Sequence, residues 1–130
     1  MAKIPAELGL TEEQVDELMT TSWNMRIATV GPGERINLTP LWFGWGGGNV
    51  YFYCRGQKSV LEDAAAEDAD PHLEEVRWQM GTKYAGGHGE SAPAPGEKVR
   101  NGASARGRGW RWVAFTPDRV VSWDNTKLGR

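Results

Sequence analysis

The segment YFYCRGQK ends an apolar run with side chains that can hold a charged ligand. The guanidinium of Arg55 can place two N–H donors on one phosphate group, and Lys58 adds a point charge nearby. The hydroxyl of Tyr53 and the amide of Gln57 can add neutral hydrogen bonds. These residue types favour a loop that binds a phosphorylated, flat, aromatic ligand. Charges that are merely solvated would produce the same pattern.

A proline marks a second position of chemical interest, earlier in the chain. Pro40 cannot donate to a sheet ladder, so we expect a bulge or a break there. A break would free backbone donors for the nitrogen and carbonyl groups of a planar ring. The alternative interpretation is an ordinary irregular edge strand.

The other side chains capable of catalysis form no constellation in the sequence. His72 and His88 are isolated, and Cys54 has no histidine near it, so we interpret it as a small apolar filler. No residue spacing matches a metal site. A cofactor that carries the reaction itself would need no such constellation.

Four short apolar runs within residues 25–56 predict the strands that must position these groups. The runs show no helical period and are separated by turn residues, which is typical of consecutive antiparallel strands. The turns GPGE and GGGN predict two tight hairpins inside a β-meander over residues 25–58. The predicted strands cover residues 26–30, 35–39, 41–45 and 50–54.

A helix is predicted on each side of the meander. Thr11 and Gln14 have the spacing of a capping box, which predicts a helix over residues 12–19 within an N-terminal segment, 1–22. The acidic stretch 59–84 predicts a second helix, with Asp70 at the N-cap and Pro71 at the first helical position. The residues predicted on its apolar face are Leu73, Val76, Met80 and Tyr84.

The last part of the chain predicts a loop followed by a hairpin. Residues 85–109 are rich in Gly, Ala, Pro and Ser, and we expect a flexible loop there. Strands at 110–115 and 119–123, joined by a Thr-Pro-Asp turn, would form a C-terminal hairpin within 110–128.

Composition bounds the class of protein. The chain has 130 residues, the length of a single domain (1–130), and its net charge of −2 argues against general nucleic-acid binding. The single cysteine excludes an internal disulfide. No apolar run approaches the ~18 residues of a membrane span, and no signal peptide is recognisable, so we expect a cytoplasmic protein that does not enter membranes.

Seven tryptophans are many for this length. A buried tryptophan removes roughly 150–250 Å² of surface from water, so a core or a dimer interface rich in tryptophan is one interpretation. The other is that Trp42 or Trp110 lines a ring-shaped ligand.

The segment RIATVGPGERINLTPLWFGWGGGNVYFYCRGQK, with the ending RWVAFTPDRVVSWDNTKL, resembles the flavin-binding split-barrel family of the pyridoxamine 5′-phosphate oxidase type. Within that family, it is most similar to actinobacterial flavin- and deazaflavin-dependent oxidoreductases, over residues 10–58 and about 70–128. Members are homodimers that hold FMN or the deazaflavin coenzyme F420 at the subunit interface. The resemblance implies a mainly β fold with flanking helices (α+β), an antiparallel split β-barrel completed by dimerisation.

The resemblance also implies a cofactor site. One part of it would lie along the isoalloxazine ring and the other would bind the phosphate. The implied cofactor-binding residues are Thr39, Pro40, Leu41, Trp42, Tyr53, Arg55, Gln57 and Lys58. No catalytic residue is implied, and Trp123 in the ending would lie in the core or at the dimer interface.

The chain departs from the family immediately after Lys58. Relatives continue there into a helical turn and a further β-hairpin, whereas this chain continues with SVLED, which resembles the far end of that hairpin. About two core strands are therefore absent. Their loss would expose sheet edges that a partner subunit or an altered pairing must cover.

A basic segment near the end of the predicted loop has three interpretations. Its residues are Lys98, Arg100, Arg106, Arg108 and Arg111. They could be solvated charges near the acidic helix, a contact for the polyglutamyl tail of a deazaflavin, or a short RNA-binding tract.

These observations give two main hypotheses. The first is a flavin- or deazaflavin-dependent oxidoreductase that acts on a small organic substrate by hydride transfer. The second is a shortened, catalytically inactive split-barrel protein that serves in binding or dimerisation.

Overall fold

A computed structural model of the chain describes residues 6–55, 68–85, 94–103 and 110–128. These residues form a small α+β domain with two antiparallel sheets and two helices. The helices are α1 (Glu12–Thr21) and α2 (Leu73–Tyr84), and the strands are β1 (Met25–Val30), β2 (Ile36–Leu41), β3 (Gly44–Gly46), β4 (Asn49–Arg55) and β5 (Trp110–Phe115). Short 3₁₀ turns cover Ala6–Leu8, Pro32–Glu34 and Asn125–Leu128.

The capping box predicted for α1 is confirmed. The Gln14 N–H donates to Thr11 Oγ1 at 3.2 Å, and the Thr11 N–H donates to Gln14 Oε1 at 3.0 Å. The helix ends where the Ser22 N–H donates to the Leu18 carbonyl oxygen. Its inner residue Val15 packs against the cluster of Phe43, Trp45 and Val50.

The hairpin of β1 and β2 forms a sheet of its own. Its turn has the left-handed backbone that the sequence GPGE suggests, with a φ of 70° at Gly33 and 58° at Glu34. The predicted break at Pro40 is wrong, because β2 runs through Pro40 to Leu41. The strand ends at Leu41 and β3 begins at Gly44 in the other sheet, so the expected continuous meander is split into two sheets.

The second sheet has the strand order β3-β4-β5, and both of its pairings are antiparallel. The predicted GGGN hairpin is confirmed, with φ values of 57° and 76° at Gly47 and Gly48, as a two-residue turn of this kind requires. The described residues do not close into the barrel that the resemblance implies.

Helix α2 packs across β3 and supplies much of the core. Its four buried residues are the predicted apolar face: Leu73, Val76, Met80 and Tyr84. They pack with Tyr51 of β4 and Trp112 of β5, both fully buried. A Cβ atom on Gly44 would lie 2.6 Å from Val76 Cγ1, so glycine at this position permits the close approach of the helix.

The start of α2 differs from the prediction. Asp70 was predicted at the N-cap, but the helix begins at Leu73 with His72 at that position. The Asp70 carboxylate accepts a hydrogen bond from the His72 N–H at 2.8 Å and also one from the Tyr51 hydroxyl. Because Asp70 binds both groups, residues 70–72 form a turn, and the helical backbone starts after it.

The described part of the predicted loop lies along α2 as a strap, residues 94–103. The Val99 N–H donates to Thr82 Oγ1 at 3.0 Å. Arg100 forms a bidentate pair with Glu74, at 2.6 and 2.8 Å, so this member of the basic segment faces the acidic helix. Residues 86–93 and 104–109, with Arg106 and Arg108, lie outside the described residues.

The C-terminal hairpin is only half formed. Strand β5 has the predicted bounds, whereas the predicted strand at 119–123 is wrong, since these residues are irregular. They turn away from β5 toward the N-terminal segment instead. There the Asp124 N–H donates to the Leu8 carbonyl oxygen at 2.8 Å, and the Leu10 N–H donates to Ser122 Oγ at 3.1 Å.

Candidate functional site

The predicted ring-binding segment lies on β2. The Gly31 N–H donates to the Arg35 carbonyl oxygen at 2.7 Å and closes the hairpin. From this bond and the strand register, hydrogen-bonded and non-hydrogen-bonded pairs alternate along the ladder. Thr39 and Leu41 fall in hydrogen-bonded pairs with β1, whereas Pro40 does not. The Pro40 nitrogen therefore faces the outer edge, where no ladder donor is needed, and the strand continues through it.

The outer edge of β2 presents polar backbone atoms. Among the described strands, only β1 pairs with β2. The alternation directs the Leu38 N–H and the carbonyl oxygens of Leu38 and Pro40 toward the open edge. The N–H groups of Thr39 and Leu41 are used by the ladder with β1. The expectation that Pro40 frees the donors of these two residues is therefore wrong.

One face of this hairpin, here called the apolar face, has little cover. The cross-strand pairs of this face join Val30 to Ile36, Ala28 to Leu38 and Arg26 to Pro40. The side chains of Val30, Ile36 and Leu38 are 73%, 71% and 66% exposed. These clustered, exposed apolar side chains make the face a candidate contact surface.

Trp42 follows β2 and joins the aromatic core. Its ring stacks on that of Tyr84, with the centroids 4.3 Å apart and the planes at 5°, and meets Trp23 edge-on. The Tyr84 hydroxyl accepts from the Phe43 N–H at 3.0 Å and donates to the Trp23 carbonyl oxygen at 2.7 Å. One face of the Trp42 ring is thus covered, which favours a core role for it.

The predicted phosphate-binding residues are described only in part. Tyr53 is half-buried on β4 and tilts against Trp112, with the ring centroids 5.2 Å apart. Arg55 is the last residue of β4 and pairs with Trp110 at the start of β5. Gln57 and Lys58 lie outside the described residues. The structure therefore brings Tyr53 and Arg55 onto the strand that leads directly into the predicted loop.

The C-terminal motif takes a surface position. Trp123 is 57% exposed, so it does not lie in the core of the single chain, and its place at a dimer interface stays a prediction. Nearby, Lys127 Nζ donates to the Gly9 carbonyl oxygen and to Gln14 Oε1. These contacts hold the C-terminal segment against the start of α1.

A second candidate site is a groove between the end of α1 and the outer side of α2. Its volume is about 1030 Å³. The side chains that line it include Thr20 of α1, Glu75, Trp78, Thr82 and Lys83 of α2, and Lys98 of the strap. Of these residues, Lys98 belongs to the basic segment, whose interpretations include a contact for a deazaflavin tail, and the other five were not candidates in the sequence. None of the implied cofactor-binding residues lines the groove.

Lys83 is the unusual group in this groove. Its Nζ donates to the Ser22 carbonyl oxygen at 3.0 Å and lies 4.2 Å from the centroid of the Phe43 ring. Burial lowers the pKa of Lys83 from 10.5 to about 8. A lysine in the last turn of a helix is ordinary in sequence, and its burial depends on α1, some sixty residues earlier, so no local signal identifies it.

Comparisons with protein-family models, with curated proteins and with solved structures found no match. Within the described ranges, no cluster of His, Cys, Asp or Glu is arranged to hold a metal ion. Neither described helix has the length and apolar character needed to cross a bilayer. Cys54 is a half-buried free thiol whose pKa is raised by burial, and no described contact gives it a catalytic partner.

Proposed function

We propose that this protein is a flavin- or deazaflavin-dependent oxidoreductase that transfers hydride to or from a small organic substrate as a homodimer. The observation that carries the proposal is the exposed apolar face of the β1–β2 hairpin. Pro40, one of the implied ring-contact residues, belongs to that face, and the open edge of β2 runs beside it. A flat ring and a second subunit would both cover apolar area that the single chain exposes.

The residues present fit such a ring in part. The apolar face offers a floor, and the open edge offers the Leu38 N–H as a donor and the Pro40 carbonyl oxygen as an acceptor. An isoalloxazine ring carries both acceptors and an N–H donor, so this edge matches it. Tyr53 and Arg55, with Gln57 and Lys58 after them in sequence, are the residues that would bind the phosphate.

The chain's own residues have a limited task in this proposal. A bound flavin or deazaflavin supplies the hydride chemistry itself. The β2 edge would orient the ring, the cations would hold the phosphate, and the partner subunit would exclude water from the apolar face. No acid or base among the described residues is assigned a proton transfer.

Equilibrium binding of FMN and of coenzyme F420, followed by absorbance and fluorescence, tests this proposal. Arg55→Ala and Lys58→Ala should each weaken binding by ~1–3 kcal/mol, because each removes a charged hydrogen bond to the phosphate. Arg119→Ala is the matched control, since Arg119 is an exposed cation far along the chain from the site. Absence of saturable binding of either cofactor, or unchanged affinity in both site variants, would contradict the proposal.

The second candidate function is a shortened split-barrel protein that dimerises or binds without catalysis. It is favoured by two observations: the described sheets stay open, and the ladder with β1 uses the N–H groups of Thr39 and Leu41. A stable dimer that binds neither cofactor would select this function over the first.

A further inference from the structure

The groove between α1 and α2 contains groups that neither the core nor the proposed cofactor site uses. Thr20 Oγ1 already donates to the Asp16 carbonyl oxygen at 2.8 Å, and Thr82 Oγ1 is occupied by Val99. The charged and aromatic side chains that line the groove are Lys83, Lys98, Glu75 and Trp78. Two cations against one acid give this surface a positive balance.

Within the part of the chain that the structure describes, the Lys83 ammonium has no anionic partner. Of its three N–H donors, one is directed at the Ser22 carbonyl oxygen, and the Phe43 ring lies on another side. Among the described residues, no carboxylate forms a salt bridge with it. A cation held partly out of water is stabilised by an opposite charge, and an anion in the groove would provide one.

Trp78 provides a second, apolar contact in the same groove. It lies on the outer side of α2 and is 41% exposed, although the other large apolar residues of the helix, including Tyr84, are buried. An exposed indole beside two cations combines an aromatic surface with positive charge. A flat ring that carries a negative group satisfies both features.

We propose that this groove binds a small aromatic carboxylate. Its carboxylate group pairs with Lys83 and Lys98, and its ring packs on the indole of Trp78. The groove volume of about 1030 Å³ is sufficient for such a ligand, since small-molecule sites typically measure ~300–1,000 Å³. The inference does not depend on the cofactor proposal, because the groove contains none of the implied cofactor residues.

The first test uses 2-naphthoate as the probe, with neutral 2-naphthamide as its matched control. Ligand-observed NMR titration of the purified full chain should give saturable binding of 2-naphthoate. The amide has the same ring without the charge, so we expect its affinity to be at least about tenfold lower. Equal affinities, or no saturable binding of the acid, would overturn the proposal.

The second test asks which residues bind the probe. Lys83→Met, Lys98→Met and Trp78→Leu should each weaken 2-naphthoate binding at least about fivefold, whereas the charge-matched control Arg119→Met should not. Lys98 and Trp78 are exposed, so their variants remain informative even if loss of the Lys83 contact to Ser22 impairs folding. Full affinity in both of these variants would overturn the assignment.

A third measurement locates the probe without mutation. Acetic anhydride labelling, read by mass spectrometry, should slow at Lys83 and Lys98 when 2-naphthoate is present. Labelling at Lys127, which lies at the other end of α1 beside Gly9, should not change. Equal protection of all three lysines, or of none, would contradict binding in the groove.

Discussion

At the scale of single residues, the ionisation of Lys83 links the groove to stability. Burial lowers its pKa in the folded chain to about 8, from 10.5 for an exposed lysine. Between these two values, the unfolded chain keeps the proton that the folded chain has lost. The free energy of unfolding therefore rises as the pH increases from about 8 toward 10.5, because of Lys83. Below about 8 this gain is absent.

The rise in stability with pH can be measured. In urea unfolding, the stability difference between the native chain and Lys83→Met should change with pH between about 8 and 10, in favour of the native chain at the higher pH. The Lys98→Met variant, at an exposed lysine, is the control and should show a constant difference. A constant difference for Lys83→Met as well would mean that the ammonium is not desolvated.

Tyr51 shows the opposite dependence at higher pH. Burial, followed by its hydrogen bond to Asp70, raises the pKa of Tyr51 from 10.0 to about 12. The hydroxyl therefore stays a donor throughout the neutral range, and it joins β4 to the turn before α2. Stability from this group is complete below pH 10 and is lost as the pH rises toward 12.

At the scale of elements, the strap is attached to α2 mainly through backbone groups. Asn101 N–H donates to the Arg77 carbonyl oxygen at 2.9 Å, and Ala103 O accepts from Arg77 and from the Trp112 indole. Gly81 allows this close approach, because a Cβ atom there would collide with the Val99 carbonyl group. The strap thus connects the outer side of α2 to β5.

Two glycines offer a matched test of the strap. Gly81→Ala should destabilise the chain by about 1–3 kcal/mol, although alanine favours a helix, because the backbone of the strap must move. Gly102→Ala is the control, since a Cβ atom there meets nothing within 4 Å, and a change within about 0.5 kcal/mol is expected. Urea unfolding measures both, and equal effects would rule out tight contact between strap and helix.

Elements fixed by local pattern were predictable from the sequence. The apolar face of α2, the capping box of α1 and both hairpin turns follow from spacing and from glycine positions. The strand predicted at 119–123 failed because β-propensity does not tell whether a sheet edge is available. Ser122 and Asp124 bind the N-terminal segment instead, and that contact spans more than a hundred residues.

At the scale of the whole molecule, the division into two sheets was not predictable either, because it depends on a contact between residues far apart in the sequence. The backbone at Phe43, between β2 and β3, is held by the Tyr84 hydroxyl, which lies 41 residues later in the chain. The residue types of the implied cofactor site could be read from the sequence, and the structure adds the open edge of β2 among the described strands. The groove around Lys83 depends on packing between distant helices, so its position could come only from the structure.

The β1–β2 hairpin is a two-stranded sheet whose large apolar side chains are mostly exposed in the single chain. An isolated two-stranded hairpin is marginal in water, so cover by a partner would stabilise it. The proposed homodimer uses the apolar face, whose large exposed apolar side chains are Val30, Ile36 and Leu38.

Charged substitutions on the apolar face alone test whether this face forms the dimer interface. Ile36→Lys with Leu38→Lys should raise the dimer dissociation constant at least about tenfold, because two charges would be desolvated in the interface. Asn37→Lys lies between them on the opposite face and is the control. Analytical ultracentrifugation measures the dimer dissociation constant of the native chain and of each variant. A native chain that stays monomeric at high concentration, or a double variant that dimerises normally, would contradict this interface.

The contact between Leu8 and Asp124 has a practical consequence. Because these residues meet through a backbone hydrogen bond, a short linker could connect the two segments without crossing the fold. New ends could then be opened at the exposed Gly47–Gly48 turn. A circular permutant of this kind would present β3 and β4 as separate termini while leaving both helices uninterrupted.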